Sequence, residues 1–390
     1  MNNRTPAEWA FGLVLILGIV NLFADMTYEG GRAITGPFLG SLGASAAVVG
    51  FVAGFGELIG YALRSVSGYL ADRTQKYWVV IFTGYAVNML AVPALALAGA
   101  WPLAAGLIIA ERTGRAIRRP AVEAMLSHAG KSLGQGWVFG LNEALDQTGA
   151  SVGPLITALV LFLHRGYHQA FAALLVSALL CLGTLVVARL WYARPQGMEE
   201  GAAPSPQAER FPVAYWSYVA AGALVAAGFA DFSLIAFHFQ KVATVTEPFI
   251  PVLYSAAMAT GALASLVFGR LLDRFGRPTV IVAFFASAWF APLVFFGGPA
   301  LAWLGVGLWG LGMGAQDSIL KALLAGVVPP QKRSTAFGVF DTGFGFAWFA
   351  GSAAMGLLYH ASLTGLVVFS VALQLAALPV FAFAGRRRES

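Results

Sequence analysis

The chain has 390 residues, of which 58% are hydrophobic and only 11% are charged, and its formal net charge is +6 at pH 7. A soluble domain carries about 25% charged residues. The composition therefore excludes a water-exposed surface over most of the chain and favours a lipid-exposed one. The single cysteine, Cys181, excludes an intramolecular disulfide and a cysteine-based metal site.

The apolar residues form long runs, each near the ~20 residues that a helix needs to cross a bilayer. Their polarity does not alternate as it does in the strands of a membrane barrel. We therefore predict an all-α membrane protein with twelve transmembrane helices. The predicted spans are 9–29, 44–66, 77–98, 102–124, 135–162, 167–191, 215–239, 249–271, 278–297, 300–325, 335–359 and 362–384.

The longest polar segment, Ala193–Pro212, is rich in Pro, Gly, Glu and Ala and has no apolar periodicity. It predicts a flexible cytoplasmic linker over 193–212. The linker separates an N-terminal six-helix bundle, 1–192, from a C-terminal six-helix bundle, 213–390. The first apolar run contains Asp25 and Glu29 and lacks a small-residue cleavage site, so we predict a retained span and not a signal peptide.

The basic residues give the predicted orientation. With a cytoplasmic N-terminus, most Lys and Arg residues outside the spans fall on the cytoplasmic side, and only Arg32, Arg165 and Lys241 fall on the other. This bias follows the positive-inside rule. It predicts a multi-pass protein of the inner (cytoplasmic) membrane with both termini in the cytoplasm, and it explains the basic charge without a nucleic-acid partner.

The two halves of the sequence resemble each other. Phe23-Ala24-Asp25 in span 1 is repeated as Phe229-Ala230-Asp231 in span 7. Gly68, Asp72 and Arg73 after span 2 correspond to Gly269, Asp273 and Arg274 after span 8. Such repeats indicate duplication of a six-helix unit, with a solute site between the two halves.

These loops carry a resemblance to a known family that covers the whole chain. Gly68-Tyr-Leu-Ala-Asp72-Arg73-Thr-Gln-Lys76 and Gly269-Arg-Leu-Leu-Asp273-Arg274-Phe-Gly-Arg277 resemble the loop motif of the major facilitator superfamily. The first copy has Gln75 where the family has glycine. The resemblance implies that fold, a monomer, and a role for both loops in cytoplasmic gating; the alternative is that their basic residues only set the topology.

Two further segments are similar to motifs of proton-coupled exporters in this superfamily. Span 5 contains Gly140, Gly149, Gly153 and Pro154, although Thr157 and Ala158 stand where the motif ends in glycines. The resemblance favours export over import, while small residues also serve ordinary helix packing. Span 4 contains Arg112 and Arg115, either of which matches the arginine that the family ties to proton transfer.

Several charged side chains lie inside predicted spans, where each costs roughly 2.5–3.5 kcal/mol and needs a partner or a wet cavity. Glu111 with Arg115, and Asp317 with Lys321, are spaced to pair on one helix face. Asp25 and Asp231 have no such basic neighbour, so we predict that they couple proton binding to transport, with Arg112 or Arg115 as the partner. The alternative is a purely structural ion pair. Asp146 is a second candidate proton or cation site.

The sequence therefore predicts a secondary transporter that exports a small molecule in exchange for protons. Two alternatives stay open, a metal-ion or metabolite transporter of the same fold and a membrane sensor that does not transport. Neither a nucleotide-binding motif in a suitable context nor an enzyme motif is present, so we expect no enzyme activity, cofactor or resident metal. The expected partners are the small-molecule substrate, protons and the bilayer.

Overall fold

The structure, a computed structural model, describes residues 6–74, 76–133, 135–192, 211–328 and 333–386. Within these ranges the regular structure is helical throughout, and no strand is present. The all-α class that the apolar runs predict is therefore confirmed.

Among the described residues of the first half, six long helices are present, and each corresponds to one predicted span. Their bounds are α1 Pro6–Ser41, α2 Ala46–Thr74, α3 Tyr77–Ala94, α4 Trp101–Leu133, α5 Gln135–Phe162 and α6 Tyr167–Trp191. A short 3-10 helix, Leu95–Leu97, follows α3 directly.

Where the structure describes the second half, nine α-helices correspond to the six predicted spans, because three spans are interrupted. Their bounds are α7 Val213–Gly228, α8 Phe232–Val242, α9 Phe249–Phe275, α10 Arg277–Ala288, α11 Phe290–Phe296, α12 Pro299–Ala315, α13 Lys321–Val327, α14 Arg333–Ala361 and α15 Leu363–Arg386. The interruptions separate α7 from α8, α10 from α11, and α12 from α13, where a π-helical turn spans Gln316–Leu320. Turns of this kind occur frequently at functional sites.

Helix α1 is longer than its predicted span, 9–29, and continues to Ser41. The prediction that Arg32 lies outside the membrane span is wrong, because Arg32 lies within α1 with only 8% of its surface exposed. The high cost of a charge in the bilayer favours ending a span before an arginine. In the structure, the carboxylates of Glu57 and Asp231 lie beside Arg32 and offset that cost.

Nine of the described helical segments are long and apolar enough to cross a membrane. Helix α4 is not among them, and about two turns of it carry Glu111, Arg112, Arg115 and Arg118. These charges lower the apolar character of the predicted span 102–124, and this distinguishes α4 from the nine more apolar helical segments. The apolar helices make the chain a multi-pass membrane protein.

Backbone contacts divide the chain into two compact units. Unit one comprises Met1–Gly31, Leu63–Ala98 and Gly106–Glu209, and unit two comprises Arg32–Ala62, Gly99–Ala105 and Arg210–Ser390. Unit two thus includes the end of α1 and the start of α2. The predicted linker, 193–212, lies almost entirely outside the described residues, so the division into bundles 1–192 and 213–390 stays a prediction.

Each unit has its own core. In unit one, the buried side chains include Leu17 of α1, Tyr85 of α3 and Cys181 of α6, whose thiol donates to the carbonyl oxygen of Val20 at 3.4 Å. In unit two, the buried side chains are more aromatic. Rings pack closely around the junction of α7 and α8, and they are Phe229, Phe232, Tyr254, Phe290 and Trp309.

Candidate functional site

In unit one, the carboxylate of Asp25 pairs with an arginine of α4. Nη2 of Arg118 lies 3.9 Å from Oδ1 of Asp25, and both side chains are largely buried. The sequence predicts Arg112 or Arg115 as the partner and does not single out Arg118. In the structure Arg118 is only 5% exposed, and its guanidinium stacks 4.3 Å over the ring of Tyr85.

A chain of amides extends this ion pair to a second carboxylate. Oδ1 of Asn21 accepts hydrogen bonds from Arg118, at 3.3 Å, and from the hydroxyl of Tyr85. Nδ2 of Asn21 donates to Oδ1 of Asn142 at 2.8 Å, and Nδ2 of Asn142 donates to Oδ2 of Asp146 at 3.3 Å. The predicted residues Asp25 and Asp146 therefore belong to one polar network that joins α1, α3, α4 and α5.

The arginines of the predicted helix 4 motif both lie against one tyrosine. Arg112 donates to the hydroxyl of Tyr28, and the guanidinium carbons of Arg112 and Arg115 lie 4.8 and 4.1 Å from the centre of its ring. Nε of Arg112 also lies 3.4 Å from Oε2 of Glu111, and Asn88 donates to Oε1 of Glu111 at 2.7 Å. This second group of charges in unit one is thus held by α1, α3 and α4.

The glycines of the predicted helix 5 motif allow α5 to approach the part of α1 that carries Asp25. A Cβ atom at Gly149 would overlap the carbonyl oxygen of Leu22 and lie 3.2 Å from Cβ of Asp25. A Cβ atom at Gly153 would overlap the carbonyl oxygen of Met26. The motif therefore sets how closely α5 packs beside the Asp25 carboxylate. Pro154, the next residue of the motif, is buried in α5.

In unit two, one arginine is shared by two carboxylates from different helices. Nη2 of Arg32 in α1 lies 3.1 Å from Oε1 of Glu57 in α2 and 2.9 Å from Oδ2 of Asp231. The exposed fractions of the three residues are 8%, 8% and 1%. We call these residues the Arg32 triad.

The third member of the Arg32 triad, Asp231, lies at the junction of α7 and α8. Its Oδ1 accepts a 2.9 Å hydrogen bond from the backbone N–H of Ser233 and so caps the start of α8. In the same junction, the indole Nε1 of Trp309 donates to the carbonyl oxygen of Ala230 at 2.8 Å. The Phe-Ala-Asp sequence thus forms a continuous helix at Asp25 and a helix break at Asp231, although the residues are repeated.

The structure describes some of the remaining predicted site residues and not others. Gly68 and Gly269 lie within α2 and α9, and the side chains of Arg73 and Arg274 are exposed. The side chains of Asp72, Asp273, Asp317 and Lys321, and the surroundings of Gly140, lie outside the described part of the structure. The gating role of the two loops and the Asp317–Lys321 pair therefore stay predictions.

The site residues that the sequence did not predict are polar side chains within apolar runs. They are Asn21, Asn88 and Asn142, with the tyrosines Tyr28 and Tyr85, and the arginines Arg32 and Arg118. Asn21 and Asn88 each interrupt a predicted span. An amide in a bilayer needs hydrogen-bond partners, and this rule identifies both residues from the sequence.

The three groups of charges, two in unit one and the Arg32 triad in unit two, share one chemical property. In each, carboxylates lie within hydrogen-bonding or ion-pairing distance of arginines inside apolar helices, and such residues mark solute and ion pathways in membrane proteins. Together with the spans, they define a polytopic membrane transporter.

The sequence matches the Major Facilitator Superfamily over residues 14–352 and 232–390, and the chain belongs to this superfamily. It is 39% identical over 379 residues to an uncharacterized protein of Mycobacterium tuberculosis, covering 96% of this chain and 93% of that protein. It is 27% identical over 383 residues to an uncharacterized MFS-type transporter of Methanocaldococcus jannaschii, covering 93% of this chain and 92% of that protein.

Among solved structures, the fold is similar to that of a point variant of the nucleoside transporter NupG. The TM-score is 0.78 at 15% sequence identity, over 95% of this chain and 100% of the other. The similarity supports the predicted major facilitator fold. The chain is a secondary transporter that moves a small solute across a membrane.

Proposed function

We propose that this protein is a proton-coupled exporter of a small molecule, working as a monomer in the cytoplasmic membrane with both termini in the cytoplasm. The observation that carries the coupling is the Arg32 triad, in which one buried cation faces two buried carboxylates. Two acids and one base leave an excess negative charge when all three are ionised. A proton is the smallest cation that balances this charge.

Protonation of a triad carboxylate changes what holds the helices together. Asp231 binds Arg32 through Oδ2, and this contact joins α1 to the start of α8. A protonated carboxyl group attracts a guanidinium far less than a carboxylate does. Proton binding at Asp231 therefore weakens the contact between these helices, and this is the step that we assign to coupling.

The network in unit one supplies a second place for a proton. Asp25 and Asp146 are linked through Arg118, Asn21 and Asn142 by groups that donate and accept hydrogen bonds. The close packing of the helix 5 glycines against α1 lies beside this network. Because that motif resembles the one in exporters, we propose export as the direction.

Proton flux in vesicles tests the proposal. The purified protein is reconstituted into liposomes that contain a pH-sensitive dye, a pH gradient is imposed, and a panel of small molecules is added. We expect at least one compound to drive proton movement in wild type. We expect the movement to be lost in Asp231→Asn, because asparagine retains the cap of α8 but not the carboxylate.

A second variant, and the outcomes expected for the two alternative functions, complete the test. Asp25→Asn examines the unit one network separately, and unchanged flux in both variants overturns the assignment of coupling to these carboxylates. Proton flux driven by divalent metal ions, with metal binding by calorimetry, overturns the proposed substrate class and favours the metal-ion transporter. Compounds that bind but produce no flux across the panel favour the sensor.

A further inference from the structure

We propose that His360 is a proton-sensitive cap that holds the start of α2 to the end of α14, and that its protonation releases this contact. The inference concerns the regulation of the transporter and rests on the proposed coupling to protons only for its physiological role. The contact itself is independent of that role.

The central contact is a hydrogen bond between a backbone amide and an imidazole. The N–H of Ala46, the first residue of α2, donates to Nε2 of His360 at 3.1 Å. The first N–H groups of a helix have no partner within the helix. His360 therefore caps α2 from a residue 314 positions away in the sequence.

An imidazole can accept this bond only while Nε2 has a lone pair. In the protonated ring both nitrogens carry hydrogens and both are donors. Protonation therefore converts an acceptor into a donor that faces another donor. It also places a positive charge at the N-terminus of α2, where the helix dipole disfavours cations. Both effects act in the same direction, and the side chain of His360 lies at the surface of the structure.

The backbones of α2 and α14 lie in close contact around this bond, so its loss affects a larger interface. A Cβ atom at Gly356, one turn before His360, would lie 2.8 Å from the carbonyl oxygen of Ala46. A Cβ atom at Gly50 would overlap the carbonyl oxygen of Ser352. The cap thus closes the end of a tightly packed pair of helices within unit two.

The residue before His360 connects the cap to α8. The hydroxyl of Tyr359 lies 3.0 Å from Nδ1 of His238, which is buried. The ring of Tyr359 also packs 5.7 Å from that of Phe237. The end of α14 that carries His360 is therefore attached to α8 as well as to α2.

The titratable groups around the cap are few. Residues 36–50, which form the end of α1 and the start of α2, contain no titratable side chain. On α8 and the turn after it, His238 faces Tyr359, Lys241 lies 5.6 Å over the ring of Phe237, and Glu247 accepts a hydrogen bond from Gln240. His360 is thus the group whose protonation would place a charge directly at the start of α2.

Amide hydrogen exchange tests the cap on the full-length protein in lipid nanodiscs. Exchange of the first turn of α2 is compared at pH 8 and pH 5 in wild type and His360→Gln. Glutamine retains an acceptor oxygen and cannot be protonated in this range. We expect equal protection at pH 8, and at pH 5 about tenfold less protection in wild type than in the variant, the size expected from losing one hydrogen bond.

Comparison at one pH removes the intrinsic pH dependence of exchange, because the sequence around Ala46 is the same in both proteins. His360→Lys carries a fixed positive charge and is expected to lack protection at both pH values. Equal protection of wild type and His360→Gln at pH 5, or full protection of α2 in His360→Lys, overturns the proposal. Neither result depends on solute or proton flux, so each is distinguishable from failure of the proposed function.

Discussion

Gly149 in α5 lies directly against Leu22 in α1, so closely that a Cβ atom at position 149 would overlap the carbonyl oxygen of Leu22. The contact explains why a small residue is required beside Asp25. Backbone atoms cannot move aside as the end of a flexible side chain can.

Substitution of this glycine should therefore cost stability. We expect Gly149→Ala to lower the free energy of unfolding by about 1–3 kcal/mol, the usual effect of overpacking, and to reduce transport. Thermal unfolding in detergent measures the first effect. Gly183→Ala is the control, because a Cβ atom there meets no atom within 4 Å. Equal losses in both variants would contradict close packing as the cause.

Removal of the cation from the Arg32 triad should be more damaging. In Arg32→Leu the carboxylates of Glu57 and Asp231 lose the guanidinium that lies 3.1 and 2.9 Å from them. Breaking a buried ion pair in this way costs about 3–5 kcal/mol. Unfolding in a denaturant series provides the measurement. Arg165→Leu, at an exposed arginine of the turn between α5 and α6, should change stability little.

A variant that keeps the positive charge gives a second comparison at position 32. Arg32→Lys keeps the positive charge and is expected to be more stable than Arg32→Leu. A leucine variant as stable as wild type would show that the triad does not hold α1 to α2 and α8.

The amide chain in unit one predicts a role for Asn142. Asn142→Leu removes the partner of Asn21 and a donor to Asp146. Each buried polar group left without its partner costs about 1–3 kcal/mol, so we expect a lower melting temperature in detergent. Thr148→Ala, on an exposed part of the same helix, is the control. If Asn142→Leu melts no earlier than Thr148→Ala, the chain of amides is not a stabilising network.

The helix break before α8 depends on an indole. In Trp309→Phe, the carbonyl oxygen of Ala230 loses its 2.8 Å hydrogen bond. We expect a loss of about 1–3 kcal/mol in the free energy of unfolding and slower transport. Trp303→Phe is the matched control, since Trp303 lies on the same helix with 41% of its surface exposed. Indistinguishable variants would show that the bond does not support the break.

The helices were predictable from the sequence because the need to cross a bilayer sets the length of an apolar run. The ends of the helices were less predictable where charges lie. The cost of burying Arg32 favours a loop at this position, and the carboxylates of Glu57 and Asp231, the latter 199 positions away, offset that cost. Periodicity along one helix contains no information on such a partner.

The arginine that pairs with Asp25 also could not be predicted from one helix alone. The resemblance of α4 to a family motif points to Arg112 or Arg115, whereas the ion pair within 4 Å that the structure records joins Asp25 to Arg118, one turn further along α4. The repeat of Phe-Ala-Asp identified both aspartates. It did not indicate that the second copy ends a helix, where the indole of Trp309, 79 positions away, donates to the carbonyl oxygen of Ala230.

Asp231 uses its two carboxylate oxygens for different purposes, one for the first turn of α8 and the other for Arg32. Few other side chains can make both of these contacts. Glutamate has the charge but an additional methylene, and asparagine has the shape but no charge. At this position one side chain therefore sets both where α8 begins and which cation α1 meets.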